Sequence, residues 1–166
     1  MLGGTIASAL ESDAADVTCV LGAEVDAVKA SITSYRTDTI VNSDFTNGLG
    51  SSISKGIEHL QKKEASSVLV LLGDQPFVSA AYINELIKTH QEDEQCIIAS
   101  DYDGAVGVPA IFPRKYFDEL VRLEGDVSGK HLLNNIAYPV RTISGTTNLI
   151  DIDTLSEYES LKEAYV

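Results

Sequence analysis

Ser67-Val68-Leu69-Val70-Leu71-Leu72-Gly73-Asp74-Gln75-Pro76 is the stretch that decides the fold. Residues 68–72 are apolar without polar alternation, the pattern of a strand covered on both faces, typical of a central strand in a parallel sheet. The run stops on Gly73-Asp74-Gln75-Pro76, where glycine lets the backbone turn and proline fixes the exit. A helix is expected to follow over residues 79–90. The alternation continues in both directions. Upstream, Leu2, Ile6, Ala9 and Leu10 share one helical face. Residues 16–21 form a β-rich run, 24–32 a short helix, 37–41 a strand and 42–50 a loop of Asn, Asp, Ser and Gly. Ser51 or Ser52 can cap the next helix, with Ile53, Ile57 and Leu60 as its apolar stripe. Downstream come a strand at 96–100, a turn-rich excursion at 101–106, extended chain at 109–112, and helices at 113–123 and 128–137. Strands at 140–143 and 148–152 and a helix at 154–164 close the chain. This alternation predicts an α/β doubly wound fold, mostly parallel, with helices on both faces.

Size and composition set limits. At 166 residues the chain is expected to be a single domain spanning 1–166. With 44% hydrophobic and 22% charged residues it can build a core without metal or disulfide staples. Cys19 and Cys96 each sit in an apolar run and read as buried free thiols. The longest apolar runs are far too short to span a bilayer and no signal-peptide pattern opens the chain, so cytoplasm is the expected compartment. The net charge of −13 disfavours nucleic acid and anionic membrane as partners. An anionic substrate would need local positive charge, most simply a divalent metal.

In open α/β sheets ligands bind outside the carboxyl ends of the strands. Asp74, held directly after a buried strand, suits Mg²⁺, which takes one or two carboxylates plus phosphate oxygens; it also suits a turn or a helix cap. Asp151 and Asp153 share one side of an extended segment, and either a metal ligand or an N-cap fits them. Gly48-Leu49-Gly50-Ser51-Ser52 offers free N–H groups at a loop-to-helix junction. His59 and His90 lie on polar helical stretches and read as solvated. His131 and Lys130 follow a segment, 125–129, that suits either a substrate loop or a surface helix start.

In this order the segments 42–52, 71–76, 107–112, 125–130 and 151–154 resemble the nucleotidyltransferases typified by molybdenum cofactor cytidylyltransferase, a MobA-like family. The resemblance implies a Rossmann-like nucleotide-diphospho-sugar transferase fold. It also implies transfer of CMP from CTP to a molybdopterin-type cofactor, releasing pyrophosphate, with Mg²⁺ as cofactor. Carried over to this sequence, Asp74 and Asp153 resemble the catalytic metal ligands, with Asp151 the second choice. Gly48, Gly50, Ser51, Ser52 and Gly73 resemble the nucleotide site, and Gly107, Val108, Pro109, Asp126 and Lys130 the acceptor site. Members open with a strand and a glycine-rich loop carrying Arg and Lys. Residues 1–166 hold no such loop, so the first βα unit is expected to be missing, the chain to start at the helix after it, and residues 1–166 alone to be inefficient. An uncovered sheet edge would then favour self-association. Two other readings stay open: a non-catalytic partner that holds the cofactor or hands it to a molybdenum hydroxylase apoprotein, and nucleotidyl transfer to another small phosphate, in guanylyl cofactor (MGD) synthesis or onto a sugar phosphate.

Overall fold

The computed structural model describes residues 1–123, 125, 133–134 and 137–144. The helix expected at 128–137 lies largely outside these residues, and the strand at 148–152 and the helix at 154–164 lie wholly outside them. In chain order the elements are α1 (Leu2–Glu11), β1 (Thr18–Leu21), α2 (Val25–Ser31), β2 (Asp38–Val41), α3 (Leu49–Lys62), β3 (Ser67–Val70), α4 (Ala80–Glu92), β4 (Ile97–Tyr102), β5 (Ala105–Pro113), α5 (Phe117–Leu120) and β6 (Val140–Ser144). Single 3₁₀ turns precede α3 at Phe45–Asn47 and α5 at Arg114–Tyr116.

Among the described residues the strands form two sheets. β1 and β2 pair in parallel, and a second sheet runs β3-β5-β4-β6. β6 is parallel to β4, but β5 is antiparallel to both β3 and β4, so this sheet is mixed. The reversal arises at Asp103-Gly104, where both residues have positive φ (54° and 98°). Successive positive φ values are what a tight hairpin turn requires, and Asp-Gly is a favoured pair there. The expected turn-rich excursion is thus the tip of a β4–β5 hairpin.

The expectation of a central parallel strand at residues 68–72 is corrected in two respects. β3 pairs with a strand on one side only, among the described residues, and that partner is antiparallel. Its uniform apolarity still has the physical cause proposed, because both faces are covered. Val68, Val70 and Leu72 pack on the core that holds Ile53 and Ile57 of α3. Leu69 and Leu71 pack on the opposite core, with Ala9 of α1 and Ile83 and Leu86 of α4. A third, small core joins Ile6 of α1 to Cys19, Leu21 and Ile32.

Two caps differ in quality. Ser79 caps α4 as its residue type suggests, its Oγ accepting from the Tyr82 N–H at 3.2 Å. α3 begins earlier than expected, with Gly48 at the N-cap and a φ of 86°. Ser51 does not cap it. Its hydroxyl instead donates back to the Gly48 carbonyl at 2.8 Å. At the far end of α3, Lys63 pairs with Asp16 and Asp38, tying the starts of β1 and β2 to the start of β3.

His59 and His90 are half-buried rather than solvated. Burial pulls the His90 imidazole below its ordinary 6.5, against the opposing pull of Glu94 and Asp93. The unfolded chain therefore takes up this proton first as pH falls. Stability from this group is complete above about 6.5 and declines as pH drops below it. Urea melts between pH 7.5 and 5 should show the decline, and His90→Gln should flatten it. Leu86 is fully buried, and Leu86→Ala should cost about 2–5 kcal/mol, read from the urea midpoint.

Candidate functional site

Two groups of predicted residues take shape at the carboxyl ends of the strands. The first is built on Asn42, the residue after β2, which is only 2% exposed. Its Nδ2 donates to Ser51 Oγ at 2.9 Å and to Ser52 Oγ at 3.1 Å, and its Oδ1 accepts from the Asp44 N–H at 3.0 Å. Ser51 Oγ also reaches the Asp44 carbonyl at 3.1 Å. A single buried amide thus fixes the loop and the first turn of α3 together, with Gly48, Gly50, Ser51 and Ser52 in one compact unit. The Gly50 N–H donates to the Gly125 carbonyl at 2.8 Å, so Gly125 sits against the same helix end. A cavity of about 560 Å³ lies here, bounded by Asn42, Ser51, Lys55 and Gly125. Lys55 brings a cation to its wall, paired with Glu58 at 3.5 Å.

The second group is built on Gln75, also 2% exposed. Gly73 and Asp74 form the turn after β3, with Gly73 exposed and Asp74 half-buried. Gln75, next in sequence, donates through Nε2 to the Tyr102 hydroxyl at 2.9 Å and to the Val108 carbonyl at 3.2 Å. The Tyr102 hydroxyl donates to the same Val108 carbonyl. Gly107 leaves room for this ring: a Cβ there would crowd it, standing 3.0 Å from Tyr102 Cε2. Behind it the Tyr82 hydroxyl donates to Ser100 Oγ at 2.8 Å, and Ser100 Oγ donates to the Pro109 carbonyl at 2.8 Å. Burial raises the pKa of Tyr82, which keeps its proton for this chain. Gly73 and Asp74 are therefore fastened to Gly107, Val108 and Pro109, which join them from β5.

The two groups meet through apolar packing. Leu49 of α3, Leu72 after β3 and Val108 of β5 share one core. Ser52 and Gly73 also face one larger cavity, of about 860 Å³, from its two sides. Asp126, Lys130, Asp151 and Asp153 lie outside the described residues, as does the expected convergence of Asp74 with Asp153. Among the described residues no cluster of three or more His, Cys, Asp or Glu side chains is formed. Asp74 nevertheless fits a hard divalent ion, since Mg²⁺ needs only one or two protein carboxylates when phosphate oxygens complete its shell. Sequence reasoning passed over Asn42, Gln75 and Tyr102. The signal for the first two was position: each is a side-chain amide close behind an apolar strand, where a loop must be fixed without a regular ladder.

Residues 1–141 match the family model described as MobA-like NTP transferase domain. The purine catabolism protein PucB of Bacillus subtilis (strain 168) is 30% identical over 124 residues, covering 73% of this chain and 59% of that protein. The chain thus spans somewhat under two thirds of the curated relative it matches. A crystal structure of Rv0371c from Mycobacterium tuberculosis H37Rv superposes with a TM-score of 0.84 at 30% identity, covering 98% of this chain and 82% of that one. A manganese complex of Rv0371c gives a TM-score of 0.82 at 29% identity, covering 98% and 85%. A nucleotidyl transferase from Methanothermobacter shares the fold, with a TM-score of 0.83 at 15% identity over 99% of this chain and 79% of that one. The fold is accordingly an α/β, Rossmann-like nucleotidyltransferase fold.

Gln75→Leu keeps the volume but removes the amide donor that reaches both the Tyr102 hydroxyl and the Val108 carbonyl. It should cost about 1–3 kcal/mol, seen as a fall in Tm at ~2–4 °C per kcal/mol. Gly107→Ala should also lower Tm by displacing the Tyr102 ring.

Proposed function

The chain belongs to the MobA-like NTP transferase domain family, and on that premise we propose that it serves a nucleotidyltransferase moving CMP from CTP to a molybdopterin-type molybdenum cofactor, with release of pyrophosphate. The observation that carries this reading is the Gln75 linkage. It holds a carboxylate turn, Gly73-Asp74, against Gly107-Val108-Pro109 at the sheet edge that also receives the glycine-rich start of α3.

The division of labour follows from chemistry. Nucleotidyl transfer needs positioning and charge neutralisation more than a protein nucleophile. Gly48, Gly50, Ser51 and Ser52 build the start of α3, where the helix dipole favours a nucleotide. Asp74, with Asp153 as second ligand, would hold a divalent ion. When bound, that ion neutralises triphosphate oxygens and makes the α-phosphorus more open to attack by the acceptor phosphate. The manganese complex of Rv0371c supports divalent metal use, and Mg²⁺ is the ion proposed here. On the acceptor side Gly107, Val108 and Pro109 are the residues this reading assigns to a wall, with Asp126 and Lys130 as further acceptor residues and Lys130 bringing positive charge to a strongly acidic protein.

Pyrophosphate release with molybdopterin, Mg²⁺ and each nucleotide triphosphate tests the reading. CTP should outcompete GTP and ATP, and Asp74→Asn should lower the rate at least ~10²-fold. A preference for GTP would move the chain to guanylyl transfer. Tight binding of the cofactor with no pyrophosphate released from any triphosphate would instead identify a cofactor-holding maturation partner.

A further inference from the structure

The pairing of β5 with β4 is interrupted at Val108-Pro109. Ala99 and Ser100 are neighbours on β4, yet they stand opposite Ala110 and Gly107 of β5. Val108 and Pro109 are therefore bulged out between those two partners. The pairing of β5 with β3 also stops at Ala110, so neither bulged residue has a register partner on either side among the described residues. A bulge disrupts the ladder and bends its strand, and such features gather beside functional sites, where they re-aim the chain. This one lies in the interior, with Val108 6% exposed and Pro109 buried. Its carbonyls have no water to accept from, and proline has no N–H to donate.

Side chains replace the lost ladder bonds. The Val108 carbonyl accepts from Gln75 Nε2 and from the Tyr102 hydroxyl. The Pro109 carbonyl is held by a second pair. Ser100, with no exposed surface, donates to it through Oγ at 2.8 Å, and the Tyr82 hydroxyl of α4 donates to Ser100 Oγ at 2.8 Å. A carbonyl only accepts, so Ser100 gives its one proton to Pro109, and Tyr82 must be the donor to Ser100. The Ile143 carbonyl of β6 stands 3.4 Å from the same Tyr82 hydroxyl as a longer second acceptor. The bulge is gripped from both faces of the sheet. Val108 packs in the core of Ile53 and Ile57, whereas Tyr82 belongs to the core of Ile83 and Leu86. A regular ladder would need no hydroxyl at Tyr82 or Ser100, because each β5 carbonyl would meet a strand N–H.

We propose that Tyr82 and Ser100 are positioning residues for the acceptor: from the α4 face they set the Val108-Pro109 bulge, and through it the affinity for the phosphate-bearing pterin rather than for the nucleotide. This rests on the reading that assigns Val108 and Pro109 to the acceptor side. Tyr82 is 3% exposed and Ser100 is fully buried, so neither meets a ligand itself. Ser100 acts through the Pro109 carbonyl, and Tyr82 acts through Ser100. The start of α3 is fixed separately, by the hydrogen bonds of Asn42, so a shift of the bulge leaves the nucleotide side in place.

Equilibrium binding to residues 1–166 tests this without turnover, with molybdopterin followed by its fluorescence and CTP with Mg²⁺ by calorimetry. Molybdopterin affinity should fall about three-fold in Tyr82→Phe and about ten-fold in Ser100→Ala, the scale of one lost hydrogen bond. The double variant should be no weaker than Ser100→Ala alone, because Tyr82 has no other route to the bulge. Ser100→Cys, which keeps the size and a weak donor, should fall between wild type and Ser100→Ala. CTP affinity should stay level throughout. Leu86→Ala, in the same core as Tyr82, is the control for a merely structural effect: it should lower Tm and leave molybdopterin affinity alone. Unchanged molybdopterin affinity in Ser100→Ala overturns the proposal. So does an equal loss in Leu86→Ala, an equal loss of CTP affinity, or effects of Tyr82→Phe and Ser100→Ala that multiply. A wild-type chain that binds no molybdopterin overturns the acceptor reading itself, and the assignment of these two residues with it.

Discussion

β5 is paired along both of its edges, and the larger sheet depends on that fact. Its Ala110 stands opposite Val70 of β3 on one side and Ala99 of β4 on the other. From Gly107 to Pro113 every residue of β5 is buried, so its peptide groups have no water to fall back on. Ala99 and Ala110, both fully buried, lie side by side on one face of the sheet, in the core that holds Ile53 and Ile57 of α3. Remove the double pairing and β3 loses its one strand partner among the described residues, and with it the turn that carries Gly73 and Asp74. The short site residues are thus exact in position because a long strand beside them is rigid.

Much of this was legible in the residues. Runs such as 68–72 and 97–99 report cover on two faces: residues 97–99 are buried, and 68–72 are half-buried with side chains packed into both cores. The position of Asp74 followed from where the first run stops. Direction was not legible, because an apolar run such as Ala110-Ile111-Phe112 reads the same whichever way it lies in the sheet. The Asp103-Gly104 pair held that information, but only through the backbone sign it imposes. Register was likewise silent, since it depends on which neighbour is present. The start of α3 was misplaced by a few residues because serine is a good cap in general, whereas here a buried Asn42 claims both hydroxyls first.

Polar burial organises both halves of the candidate site in the same way. Asn42 and Gln75 are each a neutral amide that bridges a strand end to a loop that follows or faces it. An amide can satisfy several backbone and hydroxyl partners without adding charge to a protein that already carries −13. A carboxylate in either place would need a cation beside it. The sequence keeps Asp74, whose carboxylate is half-buried, apart from these fixing points, so the residue that positions the turn and the residue that offers charge are different ones.

The small core around Ile6, Cys19, Leu21 and Ile32 has an effect on how the molecule loosens. It is separate from the two larger cores, and α2, which flanks it, buries no residue at all. The β1–β2 layer is therefore its own cooperative unit, opening at a lower free energy than the β3–β6 sheet, as small contiguous units with few buried side chains do. Transient openings should therefore expose this layer before the larger sheet.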